Sequence, residues 1–457
     1  MEGFTMKDEA FFMVVVTAVE EGEEKEKEPK AVLDKEGEEV VAFVYGSSSM
    51  QNNVVLKSAT MSAYIPQLFT EVLIRLPLKA LARFQCVSKS WKAQIDNLQF
   101  VKMHYDRTKE SDSAEVRILV GGSNYGTHKL FSINVHDILS FDLDEVCGRA
   151  KKIKISHKLN HGIYELHDFY GCQILGSCNG LICLGLLFGT APLALTFVNP
   201  LTRKKWDLPW FPKHYPGGTS HHYGFGYNEV TDDYMLVVLT ENPSIEVMVY
   251  SFNSNSWKVL DSPFEGATAF DDQVRGVFIG KALHWVMRDW NSMDVFVVAF
   301  DLQTEQFYSM LLPEYPGGSI HWNVCLGSSG GCLSAVFIGR YPTYVVDMWV
   351  MRKYADEDSW FKYTLKLPIC RLYTSVVPIA LTKGYNHHVL LQIMFDSFNE
   401  GSNSLLLYNL KGRSATFLRN PVALSTLAAC VCSGSLLLPS GGRARRGSLL
   451  SGGLGRC

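Results

Sequence analysis

At 457 residues, 47% hydrophobic and 19% charged, the chain has an ordinary globular composition, with room for one large domain and a small one. A net charge of −3 offers no basic footprint of the kind nucleic-acid binding needs, so nucleic acid is not an expected partner. Eleven cysteines, odd in number and scattered, fit buried thiols in a reducing compartment better than a disulfide framework, which points to cytoplasm or nucleus.

Residues 1–60 read as a disordered acidic leader. The tract EEGEEKEKEPK cannot bury a core, and only Val40 to Val44 suggests a fraying strand. The apolar run Phe11 to Val19 is about half of the roughly 20 residues a membrane span requires. It also follows Glu2, Asp8 and Glu9, where an export signal carries positive charge. Neither a membrane anchor nor secretion is expected, and Met61 offers an alternative start.

Residues 61–106 are helical in pattern. Leu68, Val72, Leu73 and Leu76 recur near a 3.6-residue spacing, Pro77 stops the turn, and Leu78, Leu81, Phe84 and Val87 form a second apolar set. Ser88 is placed to cap a third helix with Trp91 and Ile95 on one face. About 40 residues cannot remove enough surface from water to offset chain entropy without a staple, a metal or a partner. No cysteine pair or ligand cluster lies here, so a partner protein is expected. The competing reading makes Leu73, Leu81, Val87 and Trp91 the internal core of a small helical hairpin.

These residues resemble the F-box, through Pro66, Glu71, Leu73, the Leu76-Pro77 pair, Leu81, Arg83, the run Cys86 to Trp91, and Ile95. One departure stands out: Ile65-Pro66-Gln67 runs directly into Leu68-Phe69, one residue shorter than the family pattern. The resemblance implies docking on a Skp-family adaptor, and through it on the cullin and RING subunits of a ubiquitin ligase. On that resemblance the adaptor contacts are Ile65, Pro66, Leu73, Leu76, Pro77, Leu81, Val87 and Trp91.

From residue 115 to 425 the pattern is β and repetitive. Five hairpin-like pieces carry the marker aromatics Trp206, Trp257, Phe307, Trp360 and Phe417, at intervals of 51, 50, 53 and 57 residues. Each is preceded by another hairpin, and Asn179-Gly180 is the clearest two-residue turn. Two hairpins make four strands per unit. Five units are complete, and Val116 to Ile155 supplies strands for a sixth. Units of this size and strand number are the pattern of propeller blades, so the fold is expected to be mainly β: a small three-helix segment, then a β-propeller-like domain of about six four-stranded repeats. The marker aromatics are expected to be wedged between blades.

The repeats resemble the plant F-box-associated interaction domain, related in layout to Kelch-type propellers. Gly176 to Cys183, Asn199 to Arg203, Tyr223 to Tyr227 with Thr231 to Tyr234, Val249 to Ser251 with Ser256-Trp257, Ala282 to Trp285, Ala299 to Leu302 and Gly330 to Leu333 carry that likeness. The final stretch, 433–457, is Gly, Ser, Leu and Arg without period and reads as a disordered tail.

No catalytic residue, metal site or cofactor is expected. Cys172, Cys178 and Cys183 are spaced too widely for a structural zinc site. The pairs His221-His222 and His387-His388 would point to opposite faces of a strand. His284 is read as a satisfied core or blade-interface histidine, and Asp232-Asp233 and Asp271-Asp272 as turn caps. Gly176, Gly180, Gly224 and Gly226 serve turns or close packing, since Gly224-Phe225-Gly226 does not complete a dinucleotide fingerprint. The function expected is a non-catalytic substrate receptor of an SCF-type ligase that binds a target protein through its β-domain. The alternatives are a propeller enzyme or lectin with an incidental helical leader, and a receptor that no longer assembles.

Overall fold

The computed structural model describes residues 16–17, 30–33, 39–42, 44–45, 70–76, 78–86, 89–110, 116–124, 127–134, 151–153, 170–188, 191–202, 204–213, 219–241, 244–264, 268–270, 275–289, 292, 294–314, 322–339, 345–368, 373–379, 388–395, 404–418 and 428–433. The chain divides into two compact units, Met1–Leu81 and Ala82–Cys457.

In the first unit, Lys30–Leu33 pairs antiparallel with Glu39–Ala42, and Val16–Thr17 pairs parallel with Val44–Tyr45. These short strands cover the Val40 to Val44 expectation; most of the leader lies outside the described residues, as does the tail beyond Ser433. A helical turn over 70–73 is followed by α1 (Leu78–Phe84), which runs across the unit boundary. Glu71 and Arg75 pair one turn apart at 3.7 Å.

The second unit continues with α2 (Lys89–Ile95) and α3 (Leu98–Glu110). Asn97 separates them and caps α3, its Oδ1 accepting the N–H of Gln99 at 2.9 Å and of Phe100 at 3.4 Å. Phe84 and Trp91 meet edge to face with ring centroids 5.1 Å apart. Helix α3 is an element that periodicity in 61–106 did not separate, and it ends four residues beyond the expected boundary.

The remainder is a ring of antiparallel sheets. Blade 1 is Tyr170–Cys178, Leu181–Phe188, Ala191–Val198 and Lys205–Asp207. Blade 2 is Ser220–Asn228, Asp233–Glu241, Ile245–Ser251 and Ser256–Leu260. In blade 3, Thr268–Phe270 and Val277–Ile279 both pair with Ala282–Asp289, followed by Val295–Asp301 and Phe307–Met310. Blade 4 is Trp322–Ser329, Cys332–Gly339, Val345–Met351 and Trp360–Lys366, and blade 5 is Tyr373–Ile379, His388–Phe395, Ser404–Asn409 and Ser414–Leu418.

The first strand of each blade lies innermost against the first strand of the next. A last sheet closes the ring: Ala428–Ser433 pairs with Val116–Asn124, which continues to Thr127–Asn134 and Lys151–Ile153. The chain thus carries five blades drawn from continuous repeats where about six were expected. The sheet in the remaining place is not a repeat of that kind, because its inner strand comes from the far end of the chain. Such a join hides the edge strands that an open array would expose.

The cores lie between blades, so second strands are buried on both faces. In Asp233–Glu241, Tyr234, Leu236 and Val238 pack in the core shared with blade 1, while Met235, Val237 and Leu239 pack in the core shared with blade 3. Alternation along a strand feeds two cores at once, and polar alternation is therefore absent from its sequence. Among the described residues no helix is long and apolar enough to cross a membrane.

Candidate docking segment and the ring that carries it

Leu73, Leu76 and Leu81 are 1%, 6% and 0% exposed, so these three candidate contact residues are buried in the chain by itself. Trp91 is half-buried beside Phe84. Ile65, Pro66, Pro77 and Val87, like the capping Ser88, lie outside the described residues. The helical surface that is described is mostly polar: Glu71, Arg75, Arg83, Lys89, Lys92, Asp96 and Gln99 are exposed, with Met103 an exposed apolar side chain on α3.

Helix α3 meets the ring. Lys102 Nζ lies 2.6 Å from Asp232 Oδ2, and Tyr105 Oη donates to Asn179 Oδ1 at 2.6 Å. Asn179 and Asp232 occupy equivalent places, in the turns joining the first and second strands of blades 1 and 2. Both are left-handed, with φ of 48° and 53°. The second oxygen of Asp232 accepts the Tyr227 hydroxyl, which fixes the carboxylate that Lys102 reaches. Burial raises the Tyr105 phenol well above its usual range, so it stays a donor. Asp232-Asp233, expected to be plain turn caps, divide the work. Asp233 Oδ1 accepts the N–H of Asn253 at 2.9 Å and its other oxygen accepts Ser251 Oγ, whereas Asp232 holds the helix.

The turn chemistry follows the sequence. Asn179 and Gly180, with φ of 48° and 81°, form the two-residue hairpin turn that Asn-Gly predicts. Gly224 is a close-approach residue: a Cβ there would sit 2.5 Å from Trp285 Cζ2.

The marker aromatics sit where blades meet. Trp257 Nε1 donates to Pro209 O, in the segment leaving blade 1, at 2.9 Å, and its ring meets Phe211 at 4.8 Å. Phe307 packs on Phe264 at 5.1 Å, across from blade 2 to blade 3. Trp360 Nε1 donates to Leu311 O at 3.3 Å, across from blade 4 to blade 3. Trp206 meets Phe252 of blade 2 at 5.9 Å, and Phe417 borders the core of blades 4 and 5.

His284 also bridges blades. Its Nδ1 lies 2.9 Å from Val277 O, and since a carbonyl only accepts, Nδ1 carries the proton. Nε2 then accepts the Tyr354 hydroxyl of blade 4 at 3.0 Å, and Tyr354 accepts from Tyr308 at 2.5 Å. Burial lowers the His284 pKa to about 4, which keeps the ring neutral. His221 is likewise lowered to about 4 by burial and by His222 beside it, and its Nδ1 lies 3.0 Å from Thr240 Oγ1.

Near the axis, a residue that no sequence pattern singled out joins four sheets. Arg275 of blade 3 donates from Nη1 to Ala429 O of the closing strand at 3.1 Å and to Ile174 O of blade 1 at 3.5 Å. From Nη2 it donates to Gln392 Oε1 of blade 5 at 3.2 Å. Gln392 Oε1 also accepts the Ala429 N–H at 3.0 Å. Among the described residues no group of three or more His, Cys, Asp or Glu could hold a metal ion.

A closed ring of four-stranded blades preceded in the chain by a short helical segment defines a β-propeller protein with N-terminal helices. The chain matches the model of the F-box associated beta propeller domain over residues 127–388 and that of the F-box domain over 66–103, and it belongs to this family of plant F-box proteins. It is 27% identical to F-box protein CPR1 of Arabidopsis thaliana over 82% of this chain and 89% of that one. It is also 27% identical to F-box/kelch-repeat protein At3g23880 of Arabidopsis thaliana, over 70% and 82%. Among solved structures, SapL1 lectin in complex with alpha methyl fucoside covers 68% of this chain and 96% of its own, at 12% identity and a TM-score of 0.38; so loose a superposition supports no statement about a ligand.

Proposed function

We propose that the chain is the non-catalytic substrate receptor of an SCF-type cullin-RING ubiquitin ligase, acting in cytoplasm or nucleus. Residues 66–103 dock on a Skp-family adaptor, and the ring binds a target protein. The observation that carries this reading is the presence, in one chain, of an F-box and a closed interaction ring. Ubiquitin transfer belongs to the recruited carrier enzyme: a target lysine amine attacks the carrier's thioester, an isopeptide bond forms and the carrier thiol leaves. The receptor contributes effective concentration and orientation.

Within the docking segment, the buried Leu73, Leu76 and Leu81 serve by building the helical frame. Trp91, with Ile65, Pro66, Pro77 and Val87, supplies contact. Purified adaptor should therefore bind the full chain, and exchanging Leu76 for Asp together with Pro77 for Gly should abolish binding. A Trp91→Ala chain that keeps its thermal transition yet loses adaptor separates contact from folding. Binding unchanged in both variants would overturn the docking role.

A further inference from the structure

We propose that the seam between blades 4 and 5 is where the ring grips an acidic segment of its target, an extended peptide rich in Asp and Glu with an apolar side chain among them. The idea rests on the receptor reading above and adds the chemistry of the cargo.

At two other seams the residue after the marker aromatic crosses to the turn between the third and fourth strands of the next blade. Lys258 reaches Glu305, and Tyr308 reaches the Tyr354 hydroxyl at 2.5 Å. At the seam of blades 4 and 5 the same position is Phe361, and the turn of the next blade is Lys411-Gly412-Arg413. The last strand of blade 4 borders that turn: Lys366 N donates to Tyr408 Oη at 3.2 Å, and Tyr363 packs in the same core as Leu410 and Ala415. Arg413, with φ of 49°, occupies the left-handed place that Glu305 holds with φ of 56°. Where blades 2 and 3 close a Lys–Glu pair, blades 4 and 5 present an aromatic ring and a cation.

Phe361 is 39% exposed, and the Arg352 guanidinium lies over its ring at 3.6 Å. Lys366, Lys411 and Arg413 are exposed as well. Among the described residues none of these four cations has an ion pair, whereas Lys213, Lys258, Lys353 and Lys362 each have one. Two acids in the turn that begins at Arg352 are engaged elsewhere: Asp356 pairs with Lys353, and Glu357 Oε1 accepts the Leu311 N–H of blade 3 at 2.7 Å.

Cations without ion pairs beside an exposed aromatic ring fit an anionic partner that also brings an apolar contact. Guanidinium groups take carboxylates two hydrogen bonds at a time, and aromatic and arginine side chains are the usual anchors of interfaces. Each exposed pair is weak by itself, so the segment needs several carboxylates, and its binding falls with salt.

A fluorescein-labelled poly-glutamate peptide with a central phenylalanine tests this by anisotropy with the full chain. Saturable binding is expected, weakening several-fold as salt rises from about 50 to about 200 mM. Arg352→Glu with Arg413→Glu should weaken it about tenfold or more with the thermal transition unchanged, and Phe361→Ser about threefold. The same charge change at an exposed site of blade 1, Lys204→Glu with Lys205→Glu, should alter it less than about twofold. Absence of saturable binding, an equal loss in the two charge reversals, or binding of a serine-phosphorylated peptide alone would overturn the acidic-segment site. Adaptor binding, titrated on the same parent and variants, should be the same in all of them. Its failure in the parent would overturn the receptor reading, and the peptide titration would still decide the seam.

Discussion

His284 shows how much one buried side chain commits. Its ring is neutral, donates to Val277 O and accepts from Tyr354, so protonating it reverses the hydrogen bond to Tyr354 and places a charge at a fully buried site. The folded pKa, about 4, lies below the ordinary 6.5. Between those values the unfolded chain binds the proton and the folded chain does not, so stability is complete above pH 6.5 and falls as pH drops toward 4. For a shift of this size the loss is on the order of 3 kcal/mol, and His221 changes in the same direction. Urea midpoints should fall between pH 7 and pH 4.5, and His284→Gln should flatten that dependence; a parent midpoint insensitive to pH would refute it. Gly327 is a second commitment at this scale. A Cβ there would lie 2.0 Å from the Pro378 carbonyl oxygen, a backbone atom of the adjoining blade. Gly327→Ala should destabilise the ring by about 2 kcal/mol or more in chemical denaturation.

At the scale of elements, the wedge between blades recurs. Trp257 and Trp360 each donate an indole N–H to a carbonyl in the segment that leaves the preceding blade, at Pro209 and Leu311. Trp257→Phe keeps much of the ring contact with Phe211 and loses the bond, which should cost about 1 kcal/mol in thermal or urea unfolding. No change would mean that the indole N–H is satisfied equally well without Pro209. These wedges were legible in the sequence because a large aromatic recurred near every fiftieth residue, and the hairpins were legible because turns such as Asn179-Gly180 have few residue choices. Helix α3 was not, since Lys102 and Tyr105 look like ordinary solvated helix residues and their partners lie 130 and 74 positions away. Leu73, Leu76 and Leu81 marked the helical segment by their spacing, but spacing alone does not say how deeply each leucine is buried.

For the whole molecule, closure depends on six residues near the end of the chain. Ala428–Ser433 pairs with Val116–Asn124, packs Cys432 against blade 1 and gives its Ala429 carbonyl to Arg275. Its sequence, AACVCS, carries little strand signal, and its partner lies some 300 residues earlier, so the expected domain end at 425 missed it. Arg275 escaped notice for the same reason: a lone arginine gains its meaning only when four sheets surround it. Ending the chain after Leu427 should open the ring, and limited proteolysis should then cut blades 1 and 5 at protease levels the full chain resists. Equal resistance would show that the closing strand is dispensable.

The receptor reading requires that the helical segment take a partner while the ring stays folded. Isothermal titration of the purified full chain with a Skp-family adaptor measures this directly. Saturable one-to-one binding is expected, and Trp91→Ala should weaken it at least tenfold without shifting the ring's thermal transition. No heat of binding with a folded parent chain, or an affinity indifferent to Trp91, Leu76 and Pro77 alike, would contradict it.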